Sequence, residues 1–332
     1  MISNHWHNKQ ILVTGAGGFI GSHLVEALVR NDAQVRAFVR YNSRGDPGLL
    51  SMIDPEIYEN LKIIAGDLRD LPALIHAMHN VDYVFHLGAL IEIPYSYQHP
   101  FEVVDTNVMG TLNVLLAGHE TGVKRIIHTS TSEVYGTALW TPIAETHPLQ
   151  GQSPYSASKI GADKLAESFY RSYDLPVVII RPFNTYGPRQ STRAVIPTII
   201  NQALTQDIVY LGNLEAYRDF TYVSDTVEGF LCAAQVPGIE GETFNLGFGS
   251  EIQIKALVEE VVAIIGKPVD IQVEATRLRP VKSEVQRLIS DNSFARERLG
   301  WTPKITLHEG LIKTIEWTRE NLHAYNAHQY QI

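Results

Sequence analysis

The chain has 332 residues, a formal net charge of -9, and 45% hydrophobic and 19% charged residues. An acidic balance of that size excludes a polynucleotide-binding surface, and the composition is that of an ordinary globular protein with a large core. One cysteine, Cys232, excludes an intrachain disulfide and suits a reducing cytoplasm; no apolar run approaches the roughly 20 residues that span a bilayer, and the polar stretch 1–10 lacks signal-peptide character. The expectation is a cytoplasmic protein of one or two domains.

Short apolar strands alternate with amphipathic helices through the first 180 or so residues. Gln10-Ile11-Leu12-Val13-Thr14 reads as a fully buried strand, and residues 21–30 carry helical spacing through Leu24, Ala27 and Leu28. Further strands are expected at 35–39, 61–65, 81–87, 126–129 and 177–180. This pattern predicts an α/β fold with a Rossmann-type doubly wound parallel sheet. After Arg181-Pro182 the chain becomes turn-rich, with a helix expected at about 195–204 and a return to the sheet at 220–234. Beyond Ile254 helices and short strands show no dinucleotide pattern. Residues 1–182, rejoined at about 220–247, are expected to form an NAD(P)-binding Rossmann domain. Residues 183–332 are expected to form a smaller α/β substrate domain closing over the strand carboxyl ends, where open sheets bind ligands.

Gly15-Ala16-Gly17-Gly18-Phe19-Ile20-Gly21 follows a strand and opens a helix. Gly15, Gly18 and Gly21 permit the tight turn, the close approach of backbone to a pyrophosphate, and close helix–strand packing, with Phe19 and Ile20 in the first helical turn against the diphosphate. NAD-preferring proteins carry an acidic residue about 20 positions on. Here that place falls at Arg40, followed by Asn42, Ser43 and Arg44, and a guanidinium there suits a 2′-phosphate. NADP is therefore favoured; if Arg40 and Arg44 only face solvent, NAD remains open. Asp67 and Leu68 are placed to touch adenine, and Leu87, Gly88 and Ala89 to run beside the cofactor phosphates and ribose. His86 reads as a satisfied strand residue. No His/Cys/carboxylate spacing suggests a metal site, so none is expected.

Pro154-Tyr155-Ser156-Ala157-Ser158-Lys159 places a tyrosine and a lysine one helical turn apart on one face. A phenol with a free pKa near ~10 becomes a usable base when an ammonium stabilises its phenolate. The expectation is that Lys159 lowers the Tyr155 pKa.

Together with Thr129-Ser130-Thr131-Ser132-Glu133-Val134-Tyr135-Gly136, Arg181-Pro182-Phe183-Asn184 and Arg218-Asp219-Phe220, these motifs resemble the extended short-chain dehydrogenase/reductase family across nearly the whole chain. The similarity is specifically to its nucleotide-sugar epimerases and dehydratases. It implies Thr131, Ser132, Glu133, Tyr155 and Lys159 as catalytic residues, with Thr129, Tyr155, Lys159 and Pro182 also against the cofactor. It further implies Asn184, Val195, Arg218, Arg279 and Glu284 around the nucleotide and diphosphate, and Ile91 and Ser96 at the sugar. Glu133 matches the carboxylate of the hexose 4,6-dehydratases. Ser132 departs from the Asp-Glu pair of the dTDP-glucose enzymes and resembles the GDP-mannose 4,6-dehydratases. The segments 90–97 and 38–44 look most like bacterial dehydratases of legionaminic acid pathways, which act on nucleotide-linked N-acetylglucosamine. A UDP- or GDP-N-acetylglucosamine 4,6-dehydratase is the implied activity. A UDP-glucuronate decarboxylase, a 4-epimerase and a non-enzymatic dinucleotide sensor stand as alternatives. The resemblance also implies a homodimer through helices near 101–118 and 155–170, where Ala157, Ala162 and Ala166 leave room for close approach.

Overall fold

The computed structural model of the protein describes residues 5–324. In its first half, β1 (Gln10–Thr14), β2 (Gln34–Arg40), β3 (Lys62–Gly66), β4 (Tyr83–His86), β5 (Arg125–Thr129) and β6 (Val177–Pro182) form successive strands. Between them lie α1 (Phe19–Arg30), α2 (Pro55–Glu59), α3 (Leu71–Met78), α4 (Ile93–Gln98), α5 (Pro100–Val104), α6 (Gly110–Thr121) and α7 (Pro154–Tyr173). The chain continues through β7 (Asn184–Tyr186), α8 (Val195–Thr205), β8 (Ile208–Leu211), β9 (Tyr217–Arg218) and β10 (Phe220–Tyr222). α9 (Val223–Gln235) and β11 (Thr243–Leu246) then return to the main sheet. β12 (Ile252–Gln253), α10 (Ile254–Ile265), β13 (Asp270–Val273), β14 (Arg287–Leu288), α11 (Ser293–Leu299) and α12 (Leu307–Glu320) follow.

The main sheet has seven strands in the order β11-β6-β5-β4-β1-β2-β3, all pairs parallel. Its strands are apolar on both faces because both faces are covered. Ile11, Val13, Phe85, Ile127, Val178 and Ile180 point into a core shared with α1 and α9. Leu12, Val84, Ile126, Val177 and Ile179 point the other way, against residues of α3, α6 and α7. Period-two alternation thus sends each strand's side chains to two different cores. Fully buried Phe85 and Phe230 each contribute about 1.5–3 kcal/mol by leaving water. The first of these cores also takes in Ile199 of α8, Leu257 of α10 and Leu311 of α12.

Local signals set the element ends. Ser153 and Ser156 form a reciprocal capping box with Pro154 in the first turn of α7, and Thr306 and Glu309 do the same for α12. α6 stops at Gly122, whose φ of 68° is the left-handed cap that glycine adopts without strain.

The expected strands appear within a residue or two, and β6 runs on to Pro182. Two features depart from the sequence pattern. β11 is an edge strand of four residues, too short for its sequence to announce. The helix expected at 101–118 is two helices, α5 and α6, joined through a π-helical turn at Asp105–Met109. That turn directs Asn107 inward, where its side chain bonds both the N–H and the C=O of Leu90 (2.8 and 2.9 Å). No described helix is long and apolar enough to cross a membrane. The expected domain bounds include residues 1–4 and 325–332, which lie outside the described residues.

Candidate active site

A cleft of about 830 Å³ opens at the carboxyl ends of the sheet strands, with the Gly-rich turn on one side and α8, β9 and the 277–284 segment on the other. At the turn after β1, Gly15 has φ 68°, and a Cβ on it would lie 2.7 Å from the Gly88 nitrogen. A Cβ on Gly21 would lie 2.2 Å from the Gly15 carbonyl oxygen. Only glycine allows this close packing of the turn against α1 and the β4 end. Gly18 caps α1 without a side-chain bond, so the N–H groups of the first turn face the cleft with the positive end of the helix dipole. These features fit the diphosphate of a dinucleotide.

Gly15, Gly18, Phe19, Ile20 and Gly21 line this cofactor half, as do Arg40 and Asn42. Leu87, Gly88, Ala89, Thr129 and Pro182 line it too. Arg40 is exposed and makes one long contact, 3.5 Å to Glu102. Asn42 organises the next loop by accepting from the N–H groups of Arg44 and Asp46. Ser43, Arg44, Asp67 and Leu68 do not line the cleft. Ser43 and Arg44 lie on the exposed outer side of that loop. Asp67 is turned to Arg69, 2.7 Å away, whose hydrogen bonds hold its carboxyl down at about 2. Leu68 packs behind Gly88 and Gly110 instead of facing the cleft.

At the junction of the two halves stand Thr131, Ser132, Glu133 and Tyr155. Thr131 Oγ1 accepts from the Glu133 N–H at 3.2 Å and hydrogen-bonds the Tyr155 hydroxyl. One threonine therefore ties the short 3₁₀ turn Ser132–Tyr135 to α7. Lys159 is buried one turn along from Tyr155, and its Nζ donates to the Thr129 carbonyl at 2.6 Å, so it stands behind the cleft wall. Burial pushes Tyr155 well above the ordinary phenol value. The Thr131 hydrogen bond acts downward, and the charges of Glu133, Glu92 and Asp163 act upward. Burial lowers Lys159 to about 8, with Asp163 opposing. The expectation that Lys159 leaves Tyr155 with a lowered pKa is thus corrected: burial raises the phenol, and the Lys159 ammonium is turned to the Thr129 carbonyl.

Asn184, Val195, Arg218, Arg279, Glu284 and Ile91 line the substrate half. Arg218 is buried and donates to Glu284 at 3.3 Å, and the two strands that carry Asn184 and Phe220 are paired beside it. Arg279 Nη1 is buried without a hydrogen bond and makes one long ion pair, 3.9 Å to Glu133, which leaves its N–H groups able to donate to an anionic ligand. Next to Arg218, the Asp219 carboxylate accepts from the N–H groups of Phe248, Gly249 and Ser290, which fastens two loops beneath the nucleotide side. Burial raises its pKa to about 6 despite these bonds. Ser96 does not reach the cleft: it is fully buried and its hydroxyl bonds the Ile93 carbonyl at 2.7 Å.

Three further cleft residues are ones the sequence does not single out. Glu92 falls inside the segment 90–97, whose likeness marks Ile91 and Ser96 instead, Arg193 belongs to no motif, and Asp46 sits in a loop that reads as surface. Among the described residues, no group of three His, Cys, Asp or Glu side chains could hold a metal ion.

A family model described as GDP-mannose 4,6 dehydratase matches residues 12–314. The dTDP-D-glucose 4,6-dehydratase of Homo sapiens is 33% identical over 324 residues, covering 95% of this chain and 91% of that protein. The UDP-glucose 4-epimerase of Mycolicibacterium smegmatis is 34% identical over 313 residues, covering 93% and 98%. Among solved structures, the dTDP-glucose 4,6-dehydratase DesIV from Streptomyces venezuelae, which has NAD bound, superposes with a TM-score of 0.84 at 30% identity. That match covers 95% of this chain and 98% of that one. The turn that fits a dinucleotide diphosphate and the Tyr155, Thr131 and Glu133 cluster thus lie within a chain that belongs to the GDP-mannose 4,6 dehydratase family, enzymes of nucleotide-sugar dehydratase and epimerase activity on the extended short-chain dehydrogenase/reductase fold.

Proposed function

We propose that the protein is a nucleotide-sugar 4,6-dehydratase, acting on UDP- or GDP-linked N-acetylglucosamine. The observation that carries the reaction type is Glu133, a cleft carboxylate whose N–H is held by the same Thr131 hydroxyl that bonds Tyr155. Tyr155 takes the proton from the sugar 4-hydroxyl. A bound oxidised nicotinamide supplies the hydride acceptor for C4. The resulting ketone acidifies the C5 proton, which Glu133 is placed to remove so that water leaves from C6. Lys159 supports Tyr155 from behind, with its ammonium anchored on Thr129. Hydride return to C6 then yields a 4-keto-6-deoxy sugar. An epimerase has no use for a second base beside Tyr155. The choice of sugar rests on the likeness of segments 90–97 and 38–44 to legionaminic-pathway dehydratases.

One observation favours a second reading. Arg279, 3.9 Å from Glu133, is a cation that could meet a C6 carboxylate, as a UDP-glucuronate decarboxylase requires. Incubating the purified protein with UDP- and GDP-N-acetylglucosamine, dTDP-glucose and UDP-glucuronate, then taking product masses, tests both. Loss of water supports the dehydratase and names its substrate. Loss of carbon dioxide from the glucuronate establishes the decarboxylase instead. No mass change with any of them sinks both readings.

For the cofactor we infer NADP, with Arg40 and Asn42 at the 2′-phosphate. Asp46 lines the same wall and is the group that suits the bare ribose of NAD. We further infer two units, residues 1–182 with 220–247 for the dinucleotide and the rest of 183–332 for the nucleotide sugar. A homodimer is supported by exposed apolar side chains on neighbouring helices and the turn between them: Phe101, Val104, Met109 and Leu116, with Tyr173 at the end of α7.

A further inference from the structure

The dehydratase reading, on which this inference rests, leaves one step without a donor. The departing C6 hydroxyl needs a proton, and Ser132, beside Glu133, is a hydroxyl too weak in acidity to give it. Another carboxyl is at hand. Glu92 lines the same cleft as Thr131, Glu133 and Tyr155. It precedes α4 as its N-cap residue, yet its side chain caps nothing, and among the described residues no hydrogen bond or ion pair engages it.

The segment that carries Glu92 is held firmly. Asn107, turned inward by the π-helical turn, bonds both backbone groups of Leu90 and donates to Ser158 Oγ at 2.9 Å. Ser158 lies on α7, three residues after Tyr155, and bonds the Tyr155 carbonyl. The Ser96 hydroxyl holds the Ile93 carbonyl on the other side. The Glu92 segment and the Tyr155 turn of α7 are therefore tied to each other through one continuous chain of hydrogen bonds, from the Leu90 backbone through Asn107 and Ser158. The charged and titratable groups that face Glu92 are Tyr155, Arg193 and Arg279. The two carboxyls differ in surroundings: Glu133 has Arg279 as an ion-pair partner, whereas burial pushes the unpaired Glu92 above the usual carboxylate range. Carboxyls whose environments diverge in this way divide the acid and base roles between them.

We propose that Glu92 is the general acid of the elimination and enters the cycle with its carboxyl protonated. Tyr155 takes the O4 proton as C4 hydride leaves to a bound nicotinamide. Glu133 takes the C5 proton, the C5–C6 double bond forms, and the C6–O bond breaks. Glu92 protonates the departing oxygen, releasing water. Hydride then adds to C6 and Glu133 returns its proton to C5. Tyr155 then hands the O4 proton on to Glu92, so both return to their starting states and protons balance over the cycle, while the proton on Glu133 exchanges with solvent before it returns to C5.

The test compares the wild-type protein with Glu92→Gln, which keeps size and shape. Both are assayed in D2O with UDP-N-acetylglucosamine, GDP-N-acetylglucosamine and dTDP-glucose, and with the 6-deoxy-6-fluoro analogue of whichever the wild type dehydrates. Water release in the variant should fall about 10²–10⁴-fold, the usual worth of a general acid. Nicotinamide reduction and deuterium entry at C5 should persist. The fluoro sugar, whose fluoride departs without a proton, should turn over at close to the wild-type rate. A variant that dehydrates as fast as the wild type, or that loses hydroxyl and fluoro substrates alike, overturns the role of Glu92 alone. A wild type that releases water from none of the three overturns the dehydratase reading and this inference with it.

Discussion

Asp163 and Arg181 are joined beneath the cleft floor, with Arg181 Nε and Nη2 at 3.2 and 3.0 Å from Asp163 Oδ2. The same carboxylate accepts from Ser130 Oγ at 2.8 Å, and its other oxygen lies 3.2 Å from His128 Nε2. Asp163 is one turn beyond Lys159, so this buried pair anchors the helix that carries Tyr155 and Lys159 to β5 and β6. Burial works to raise the Asp163 pKa, but His128, Arg181 and Lys159 outweigh it and hold it below the usual carboxylate value. Removing one partner leaves an uncompensated buried charge. Asp163→Ala should therefore cost about 3–5 kcal/mol in denaturant unfolding. Because the folded pKa is depressed, this stabilisation is complete above the ordinary carboxylate range and is lost as pH falls through the folded value. A variant as stable as the wild type would show that the pair contributes nothing.

Lys159 titrates at about 8 in the folded protein, chiefly because burial disfavours its charge. In the proposed mechanism its charge supports Tyr155 below that pH and is lost above it. The kcat/KM profile should bend downward on its alkaline side near pH 8. In the residual turnover of Lys159→Ala that bend should vanish. An unchanged alkaline limb in the variant would assign it to another group.

Glu133→Gln separates the two proposed bases of the cleft. Tyr155 and its Thr131 partner remain, so nicotinamide reduction at C4 should survive. Deuterium entry at C5 in D2O should drop by about 10²–10⁴-fold. Equal loss of both signals would instead mean that Glu133 only supports the local fold.

Arg40 has one long contact, to Glu102, and its side chain is 67% exposed, so little holds it away from a ligand phosphate. Arg40→Ala should weaken NADP binding by about 10-fold or more, the loss of a charge-assisted bond, and leave NAD binding nearly unchanged. Titration calorimetry with both cofactors checks this. Equal losses, or none, would favour NAD with Asp46 as the group at its ribose.

Phe101 is 84% exposed, close to exposed Val104 and Met109. A charge placed there should prevent close helix packing between two copies. Sedimentation should find the wild type as a dimer and Phe101→Glu as a monomer. A monomeric wild type would remove the helix-face proposal.

Features that depend on neighbours in the chain are legible in the order of the amino acids alone. The β1 to α1 turn is local, because Gly15 and Gly21 are required by contacts at one strand–turn–helix unit. Tyr155 and Lys159 share a face through helical geometry alone, and Thr131 and Glu133 are close together in one short turn. The alternation of apolar strands and amphipathic helices likewise set the sheet, because both faces of a parallel sheet must be covered. Arg218 and Arg279 were found through motif likeness, and they do line the cleft.

What spans distant segments was decided only by tertiary structure. Glu92 lines the same cleft as Tyr155, on a segment that Asn107 of the π-helical turn ties to α7, and no spacing rule encodes that placement. Arg193 reaches the cleft from a loop, while Ser96 resembles a pocket residue in sequence but turns its hydroxyl to its own backbone. The same cause explains the Tyr155 correction: spacing fixes the direction from Tyr155 to Lys159, but the desolvation of the phenol depends on every element packed around it. A short-range pattern is set by covalent geometry and hydrogen-bond periodicity, whereas electrostatics inside a cleft is summed over the whole fold.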